Sequence, residues 1–410
     1  MKTLKTYISI IDPNLLRKIS GKPAELVRLL QTNTYISDEA FCEAVCGGKH
    51  TRKYYTNLKL RTLKILESLL FATAPPPHSL LKKKYDFCLK NFLIGQKLIA
   101  RHKQSEGITV MKRAYIVARD YEFYHLAVEL SSLIHYHHVY YSKNQKQAEL
   151  FAAHTKEYLH QYSEEKKAEV YFLKAINQRG RSTDLKGIET GIGKLTAMKS
   201  DNTKCKFYEF MLRIVHGFNT LEYGTITDNC TKALTVLKNK KGAFAGQLFT
   251  FRLFRGIANV ALKKYSQADF DFRCTDDYPA KKSFNHYVLQ FYQTINALHA
   301  GDYLTAYAIY RENKNCRYDL IRQQFAIIEA YLCFLSYAGH LKLTTKFRLG
   351  KYLNETFKQQ ADKKGDNIAI LISELLVYLA RDRSKYIDRV EAIAAYSYKH
   401  LNDPATNRAR

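Results

Sequence analysis

Helix-breaking residues are scarce in this chain. Its 410 residues include 7 prolines and 18 glycines, and tryptophan is absent. Aromatic residues are nevertheless abundant, with 31 tyrosines and 22 phenylalanines, and so high an aromatic content excludes a disordered chain. Tyrosines that keep one polar end in water suit the grooves between packed helices. The composition therefore favours a folded protein built largely of helices.

Long apolar runs are also absent. The two most apolar stretches, residues 326–338 and 368–380, contain Glu329 and Glu374, so they are too short and too polar to cross a bilayer. The apolar start of the chain is interrupted at residues 12–13 and lacks a small-residue cleavage site, which argues against a signal peptide. We expect a soluble protein without a membrane span.

Paired cysteine motifs are missing. The eight cysteines are scattered and no CxxC pair occurs, which favours a reducing cytoplasm over a disulfide framework. Cys42 and Cys46, one helical turn apart, and His135 and His138, three residues apart, have spacings that can bind a metal. No acidic or cysteine ligand stands near the histidines in sequence, and apolar residues flank the cysteines. We expect interface histidines, core cysteines and no bound metal.

Acidic residues are too few to balance the basic ones. Lys and Arg number 65 against 38 Asp and Glu, which gives a net charge of +27 at pH 7. A positive field of this size attracts nucleic acid, anionic lipid or acidic protein. The candidate partner-binding residues come from the most densely basic segment and are Lys82, Lys83, Lys84, Arg101, Lys103, Lys112 and Arg113. The alternative is that they form an ordinary solvated face.

Apolar residues recur at helical spacing almost throughout, and no run alternates as a strand would. This pattern predicts an all-α fold, and the short breaks make successive helices antiparallel neighbours. The predicted helices include separate segments at 145–161 and 164–178 and another at 341–361. Three consecutive prolines at 75–77 end a helix and force an extended connector. We therefore predict a small helical unit at residues 1–74 and a longer helical array at residues 75–410.

The stretch LFRGIANVALKKYSQADFDFRCTDDYP, residues 253–279, has the pattern of a helix pair. Gly256 on a first helix would let a second helix approach closely. Ala268 would receive the first helix, and Phe272, four residues later on the same face, would fill the space beside it.

Two further stretches extend this pattern. In AGDYLTAYAIYREN, Ala306 and Tyr310 take the places of the second small residue and the aromatic residue, and Thr294 takes the first small place. A weaker unit has Cys230 as its second small residue. Cys230, Ala268 and Ala306 are each 38 residues apart, and this even interval predicts a repeat.

These positions resemble those of the tetratricopeptide repeat (TPR), a helix pair of roughly 34 residues. Thr275, where the family has another small residue, and Pro279, one residue early, depart from its pattern. The segment FLIGQKLIARHKQSEGITVMKRAYIVARDYEFYHLAVELSSLI resembles a stretch of poorly characterised bacterial repeat proteins. The resemblance covers residues 79–340 and implies a right-handed α-solenoid of antiparallel helix pairs with degenerate, longer repeats.

Catalytic and cofactor motifs are missing from the sequence. GIETGIGKL, residues 187–195, has Ile188 in place of the first P-loop glycine and Leu195 in place of the hydroxyl residue, and no strand precedes it. No nucleophile-elbow or zinc-finger spacing occurs. We expect no enzyme activity and no cofactor.

A stack of helix pairs presents an extended binding surface. The first functional hypothesis is therefore a cytoplasmic adaptor or scaffold that binds a protein or peptide of acidic character. The alternative is a basic helical repeat that binds nucleic acid, with RNA favoured over sequence-specific DNA. A third class, a structural subunit of a larger assembly, also fits, because fold alone assigns no pathway.

Overall fold

The chain folds into helices. A computed structural model describes residues 2–32, 37–46, 52–73, 80–177, 185–241, 245–274, 278–279, 281–343, 348, 350, 352, 366–381 and 383–401. Every regular element among these residues is a helix and none is a strand, so the all-α prediction is confirmed. Packing divides the chain into two compact units, Met1–Lys83 and Lys84–Arg410.

The first unit is a small helical cluster. Its helices are α1 (Lys2–Ile10), α2 (Pro13–Leu16), α3 (Lys22–Thr32), α4 (Asp38–Cys46) and α5 (Arg52–Ala72). The long α5 packs against α1, α3 and α4. The core contains Leu26, Phe41 and Leu66, all at most 2% exposed. Cys46 is buried in this core and Cys42 packs against it.

The second unit is a succession of helices. They are α6 (Leu80–Ile99, whose first four residues belong to the first unit), α7 (Gln104–Asp120), α8 (Tyr124–Tyr140), α9 (Gln145–Asn177), α10 (Leu185–Ala197), α11 (Thr203–Thr220), α12 (Tyr223–Lys238), α13 (Ala245–Ala261), α14 (Tyr265–Arg273), α15 (Phe284–His299), α16 (Tyr303–Asn313), α17 (Asp319–Tyr337), α18 (Asp366–Arg381) and α19 (Arg383–Leu401). Most helices pack against the next helix in sequence, and α9 with α11, α13 with α15, and α15 with α17 pack as well.

Some predicted boundaries differ from the structure. Helix α9 is continuous, so the prediction of separate helices at 145–161 and 164–178 is wrong. Residues 162–163 contain no helix breaker, and Tyr158 and Glu165 on either side are both buried, so packing supports one helix through this point. Of the predicted helix at 341–361, residues 341–343 are not helical and most of the rest lie outside the described residues. The proline connector at 74–79 also lies outside them.

Five helix connections in the described part of the chain share one turn. They join α6 to α7, α7 to α8, α11 to α12, α13 to α14, and α15 to α16. Each turn begins with a residue whose φ lies between 56° and 80°. These residues are His102, Glu122, Leu221, Lys263 and Gly301. The next residue is the N-cap of the second helix, and its N–H donates at 2.8 or 2.9 Å to the carbonyl five residues earlier. This is the Schellman arrangement of a helix C-terminus, and it places two helices side by side with almost no loop.

Contacts beside the α6–α7 turn show that its helices are antiparallel. Gly107, four residues after the N-cap Lys103, faces Ile99, four residues before it. Gly95, eight residues before the N-cap, faces Met111, eight residues after it. A Cβ atom would lie 2.7 Å from Ile99 Cγ1 at Gly107 and 2.5 Å from Met111 Cγ at Gly95. The two contacts move away from the turn in opposite chain directions, as antiparallel helices require.

The α13–α14 hairpin has the same register. Gly256 and Phe272 lie eight residues before and eight residues after the N-cap Lys264, and a Cβ atom at Gly256 would lie 2.4 Å from Phe272 Cε1. Ala268 is fully buried and Phe272 is 1% exposed. The close approach of these two helices therefore depends on the absence of a side chain at Gly256.

Large and small residues complement each other at the two positions eight residues from each N-cap. The first-helix and second-helix residues are Gly95 and Met111, Tyr115 and Ser131, Ile214 and Cys230, Gly256 and Phe272, and Thr294 and Tyr310, and all are buried. Where the first residue is small the second is large, and the reverse. Close packing is thus maintained, although the large side chain comes from the first helix in some hairpins and from the second helix in others.

The 38-residue interval between Cys230, Ala268 and Ala306 assigns one position of the repeat wrongly. The structural equivalent of Ala268 in the α11–α12 hairpin is Ile226, four residues after its N-cap, and Cys230 lies one turn further on. Ile226 fits because a Cβ atom at Gly217 would lie 2.7 Å from Ile226 Cγ1. The large side chain of this hairpin therefore lies one helical turn nearer the N-cap than Phe272 does in the α13–α14 hairpin. The glycine that faces it also lies nearer the N-cap.

Candidate functional site

The seven predicted basic residues are spread over both units. Lys82 and Lys83 are exposed in the first unit, and the other five belong to the second. Lys84 lies on α6 with its Nζ 5.7 Å from the ring centroid of Tyr121. Arg101 follows Lys84 by 17 residues, a distance of about 25 Å along a helix. The basic side chains of the second unit are therefore distributed along the α6–α7 hairpin.

Helix α7 brings positive charge close to the end of α8. Arg101 and Lys103 are exposed in the α6–α7 turn, and α7 packs against α8. Lys112 of α7 lies near two histidines of the last turns of α8. Burial lowers the pKa of His137 and of His138, and the charge of Lys112 lowers both further. Lys112 is half-buried, whereas its neighbour on α7, residue 113, is an exposed arginine.

The same end of α8 exposes three aromatic rings, which we call the tyrosine cluster. Tyr136, Tyr140 and Tyr141 are 51%, 63% and 54% exposed, and the ring centroids of Tyr136 and Tyr140 are 4.4 Å apart. Exposed aromatic rings beside basic side chains suit stacking on nucleic-acid bases. In sequence these tyrosines have helical spacing, which is more typical of core residues, so sequence reasoning did not single them out.

The histidines of the candidate metal motif and the stretch of the candidate nucleotide motif both belong to packed helices. His135 Nδ1 lies 2.8 Å from the carbonyl of Ala148, and His138 Nδ1 lies 2.7 Å from Ser142 Oγ, so both rings are engaged where α8 meets α9. The stretch 187–195 forms part of α10 and is no phosphate loop. Among the described residues, no three His, Cys, Asp or Glu side chains come together as a metal site.

Two polar furrows flank α14. The first furrow, of about 450 Å³, lies between α12, α13 and α14. The second furrow, of about 340 Å³, lies between α14, α15 and α16. Both are lined by Ser266, so α14 is the ridge that separates them. Phe270 on this ridge is 63% exposed.

A buried ion pair forms part of the wall of the first furrow. Arg255 Nε donates to both carboxylate oxygens of Asp271 at 3.0 Å, and Asp271 is 3% exposed. Asn259 Nδ2 donates to the same carboxylate at 3.2 Å. Arg255 Nη1 donates at 3.1 Å to Thr231 Oγ1 on α12. One guanidinium of α13 thus connects the helices on both sides of the furrow.

A buried amide lines the second furrow. Asn296 is 6% exposed, and its Nδ2 donates to the carbonyl of Tyr265 at 3.2 Å. Within the described part of the chain, its Oδ1 has no hydrogen-bond partner. Arg273 and Asp269 pair at the surface of this furrow, where Arg273 is 75% exposed. The second furrow therefore offers an inner acceptor and an outer cation.

A larger cavity of about 510 Å³ lies between α15, α17 and α18. Its walls are mostly apolar, and they come from residues up to 85 positions apart, from Phe291 to Leu376. Nothing in the local sequence of any one helix indicates such a cavity, because each apolar wall residue has the spacing of an ordinary core residue.

Three carboxylates hold the loop before α11. Glu122, in the α7–α8 turn, accepts the N–H of Thr203 at 2.8 Å. Glu164, on α9, accepts the hydroxyl of Ser200 at 2.7 Å. A negative charge at the first N–H groups of a helix is favourable. These contacts join segments far apart in sequence, so we interpret the carboxylates as a structural joint.

The third carboxylate of the joint is Glu165, which is 2% exposed. It accepts hydrogen bonds from Lys204 Nζ at 2.8 Å and Asn202 Nδ2 at 3.3 Å. Burial raises the pKa of Glu165 above its ordinary value of 4.5, although Lys204 and Asn202 oppose this effect. The raised pKa means that burial destabilises the ionised carboxylate by more free energy than its hydrogen-bond partners restore.

The stability of the Glu165→Gln variant relative to the wild-type protein is expected to increase as pH rises. A carboxyl group with a raised pKa in the folded state contributes stability below its unfolded pKa, and this contribution is lost as pH rises through the folded pKa. Glutamine keeps an acceptor for Lys204 without titrating. Urea unfolding of both proteins from about pH 4 to about pH 8 should show the stability difference moving in favour of the variant. A pH-independent difference would contradict this account.

No described helix is both long and apolar enough to span a membrane. No protein-family model, curated protein or solved structure matches this chain. The functional proposals below therefore depend on the residues and geometry described above.

Proposed function

We propose that this protein is a non-enzymatic, cytoplasmic adaptor that binds an extended peptide of a protein partner across the surface of a right-handed, TPR-like α-solenoid. Five described hairpins share one type of turn, and two of them, α6–α7 and α13–α14, share one packing register; both features support a helical-repeat stack. The contacts of α13 with α15 and of α15 with α17 support it further, because each repeat of a solenoid packs on its neighbours.

The observation that carries the proposal is the pair of furrows on either side of α14. Packed helices lie about 8–10 Å apart, and an extended chain advances about 3.3 Å per residue. A peptide that crosses α14 would place side chains about three residues apart in successive furrows. Repeated furrows of similar size suit an extended peptide better than a compact ligand.

The furrows also indicate the chemistry of the peptide. Lys264 is exposed in the first furrow, so an acidic side chain fits there. The second furrow is lined by Asp269 and Asp302 as well as Arg273, so it suits an uncharged polar side chain. Phe270 on the ridge between them offers an apolar contact. Interfaces of this kind combine a central aromatic anchor with a polar, charged rim.

The test is affinity purification from the native cell with wild-type bait and with the double variant Lys264→Glu/Phe270→Ser, followed by mass spectrometry. Both positions are exposed, so the fold should survive. We expect recovery of the principal partner to fall at least about tenfold, since loss of a central aromatic anchor alone costs about 2 kcal/mol.

The matched control is Lys186→Glu/Leu173→Ser, which makes the same chemical changes at exposed positions of α10 and α9. The control should retain the partner. Equal recovery by the furrow variant and the control would contradict the proposal.

Nucleic-acid binding is the second candidate. The observation that favours it is the exposed tyrosine cluster at the end of α8, where Lys112 of α7 also lies, in a chain of net charge +27. Nuclease treatment of the same purification separates the two functions. Loss of every partner on nuclease treatment would favour the nucleic-acid function, and that binding would weaken steeply with salt.

A further inference from the structure

One side of α6 exposes large apolar residues together with lysines. Phe87, Leu93 and Ile94 are 41%, 48% and 38% exposed, and Lys90 and Lys97 are exposed among them. We call these five residues the α6 face. A cluster of exposed apolar side chains with a polar surround is typical of an interaction surface. None of the five lines either furrow, so this surface goes beyond the proposed function.

The α6 face points away from α7. Cys88 is fully buried, and its thiol donates at 3.4 Å to a backbone carbonyl of α7. Gly95 faces Met111 of the same helix. Lys90 and Lys97 each follow one of these two contact positions by two residues, which is a rotation of about 200° around the helix axis. The lysines therefore lie at the centre of the exposed side of α6.

Apolar residues flank the lysines on both sides. Phe87 and Ile94 each precede a lysine by three residues, which places them about 60° to one side of it. Leu93 lies about 50° to the other side. A helix bound in a membrane surface buries an apolar face and keeps its lysines on the opposite, polar face, whereas here the lysines lie between the apolar residues. The arrangement therefore favours a protein partner over a lipid surface.

The spacing along α6 is that of a helix-pairing surface. Phe87 and Ile94 are seven residues apart. Lys90 and Lys97 are also seven residues apart. The four positions follow the spacing i, i+3, i+7, i+10 with which one helix packs lengthwise against another. The face is about 15 Å long, so it matches about three turns of a partner helix.

The positive charge of the α6 face is uncompensated. Residues 84–103 contain one acidic residue, Asp86, against five Lys and Arg. Among the described residues, no carboxylate pairs with Lys90 or Lys97. A partner that covered the apolar residues would also remove water from these lysines, which is costly unless carboxylates pair with them. The partner that fits therefore alternates apolar residues with carboxylates.

We propose that the α6 face binds an amphipathic, acidic helix of a protein partner. The partner helix has a seven-residue repeat. It packs apolar side chains against Phe87 and Ile94, and it pairs carboxylates with Lys90 and Lys97. Leu93 adds an apolar contact at the edge of the interface.

The test is fluorescence anisotropy of the full-length protein with two labelled synthetic helices. Each has about four heptads with Leu at the a positions, and the d positions are Glu in the acidic probe and Lys in the basic probe. We expect the acidic probe to bind at least about tenfold more tightly, because opposite charges attract across an interface and like charges repel. Failure of the acidic probe to bind, or equal binding of the two probes, would overturn the proposal.

Charge reversal on α6 tests the location of the contact. Lys90→Glu/Lys97→Glu should reverse the preference, so that the basic probe binds more tightly. The matched control is Lys167→Glu/Lys174→Glu, which makes the same change at exposed positions of α9 that are also seven residues apart. The control should keep the wild-type preference. Circular dichroism checks folding, and a folded α6 variant that still prefers the acidic probe would overturn the assignment.

Phe87→Ser/Ile94→Ser tests the apolar contacts. This variant should bind the acidic probe at least about tenfold more weakly, because large side chains at the centre of an interface dominate its affinity. The control is Val170→Ser/Leu173→Ser, at positions of α9 that are 46% and 50% exposed, and it should bind as the wild-type protein does. Unchanged binding by the α6 variant would show attraction by charge alone and would overturn helix packing.

Vesicles of phosphatidylcholine and phosphatidylserine test the lipid alternative. We expect no difference in vesicle binding between the wild-type protein and Lys90→Glu/Lys97→Glu. Vesicle binding that this variant loses, without binding of the acidic probe, would overturn the proposal and assign the α6 face to an anionic lipid surface. All these variants leave α14 unchanged, so partner capture by the furrows is tested separately.

Discussion

Gly256→Ala is expected to destabilise the protein by about 2 kcal/mol, although alanine is the better helix former. The new Cβ would lie 2.4 Å from Phe272 Cε1 and 2.8 Å from two further ring atoms. The ring is 1% exposed, so it cannot turn out into solvent without leaving the core. Overpacking of this kind costs about 1–3 kcal/mol, and the contact here is severe enough to exceed the gain of about 1 kcal/mol from helix propensity.

The cause can be isolated in a Phe272→Ala background. Phe272→Ala alone should cost about 3–5 kcal/mol. Once the ring is absent, Gly256→Ala should become stabilising by about 1 kcal/mol, because only the propensity effect remains. The sign of one substitution would thus reverse with the other, and the coupling between them would be about 3 kcal/mol.

Urea unfolding followed by circular dichroism measures all four proteins of this cycle. Gly193→Ala is the matched control, because Gly193 is also helical but a Cβ atom there would meet nothing within 4 Å. It should stabilise the protein by about 1 kcal/mol. If Gly256→Ala stabilises the wild-type protein as Gly193→Ala does, the proposed register of α13 and α14 is wrong.

The hairpin around Gly256 was visible in the sequence because helix contact restricts residue size there. A small residue, then another small one after twelve positions, then an aromatic one after four, is a pattern that a single pair of helices imposes. The α6–α7 hairpin uses the same positions, but Met111 fills the place of the aromatic residue, so its sequence resembles the pattern less. In the α11–α12 hairpin the large residue that packs on a glycine is Ile226, one turn nearer the N-cap, so its sequence does not show the repeat pattern.

A fixed interval was a poor guide for a physical reason. The N-cap residues Glu222 and Lys264 are 42 positions apart, whereas Lys264 and Asp302 are 38 apart. The connection between hairpins varies in length while the turn within each hairpin does not. Counting from the turn therefore recovers equivalent positions, and counting from Cys230 to Ala268 does not.

The surfaces were less predictable than the helices. Charge density in sequence indicated the basic residues, but Lys84 and Arg101 lie far apart along the α6–α7 hairpin. The furrows and the cavity combine residues from three or four helices, as Thr231, Arg255 and Asp271 do in the first furrow. Such combinations depend on which helices pack together, and that information is not contained in the spacing within any one helix.

Arg255→Met is expected to destabilise the protein by about 3–5 kcal/mol, which is the usual cost of removing one partner of a buried ion pair. The variant leaves Asp271 charged at 3% exposure with Asn259 as its remaining side-chain partner on α13. It also removes the hydrogen bond to Thr231 on α12. Urea unfolding measures the loss, and hydrogen exchange should locate it in α12, α13 and α14.

Arg273→Met is the matched control in the same hairpin. Arg273 pairs with Asp269, but the two side chains are 75% and 42% exposed, and exposed pairs contribute at most about 1 kcal/mol. A loss at Arg255 no larger than the loss at Arg273 would contradict the burial-based explanation.

The double variant Arg255→Met/Asp271→Leu separates stability from binding in the first furrow. Replacing both charges with apolar residues removes the unpaired carboxylate, so stability should recover by at least about 2 kcal/mol relative to Arg255→Met. The net charge of the furrow is unchanged, because one positive and one negative charge are lost together. If acidic peptides are recognised through Lys264 and Phe270, the stable double variant should still capture the partner. A stable double variant that loses the partner would instead place Arg255 or Asp271 in direct contact with the peptide.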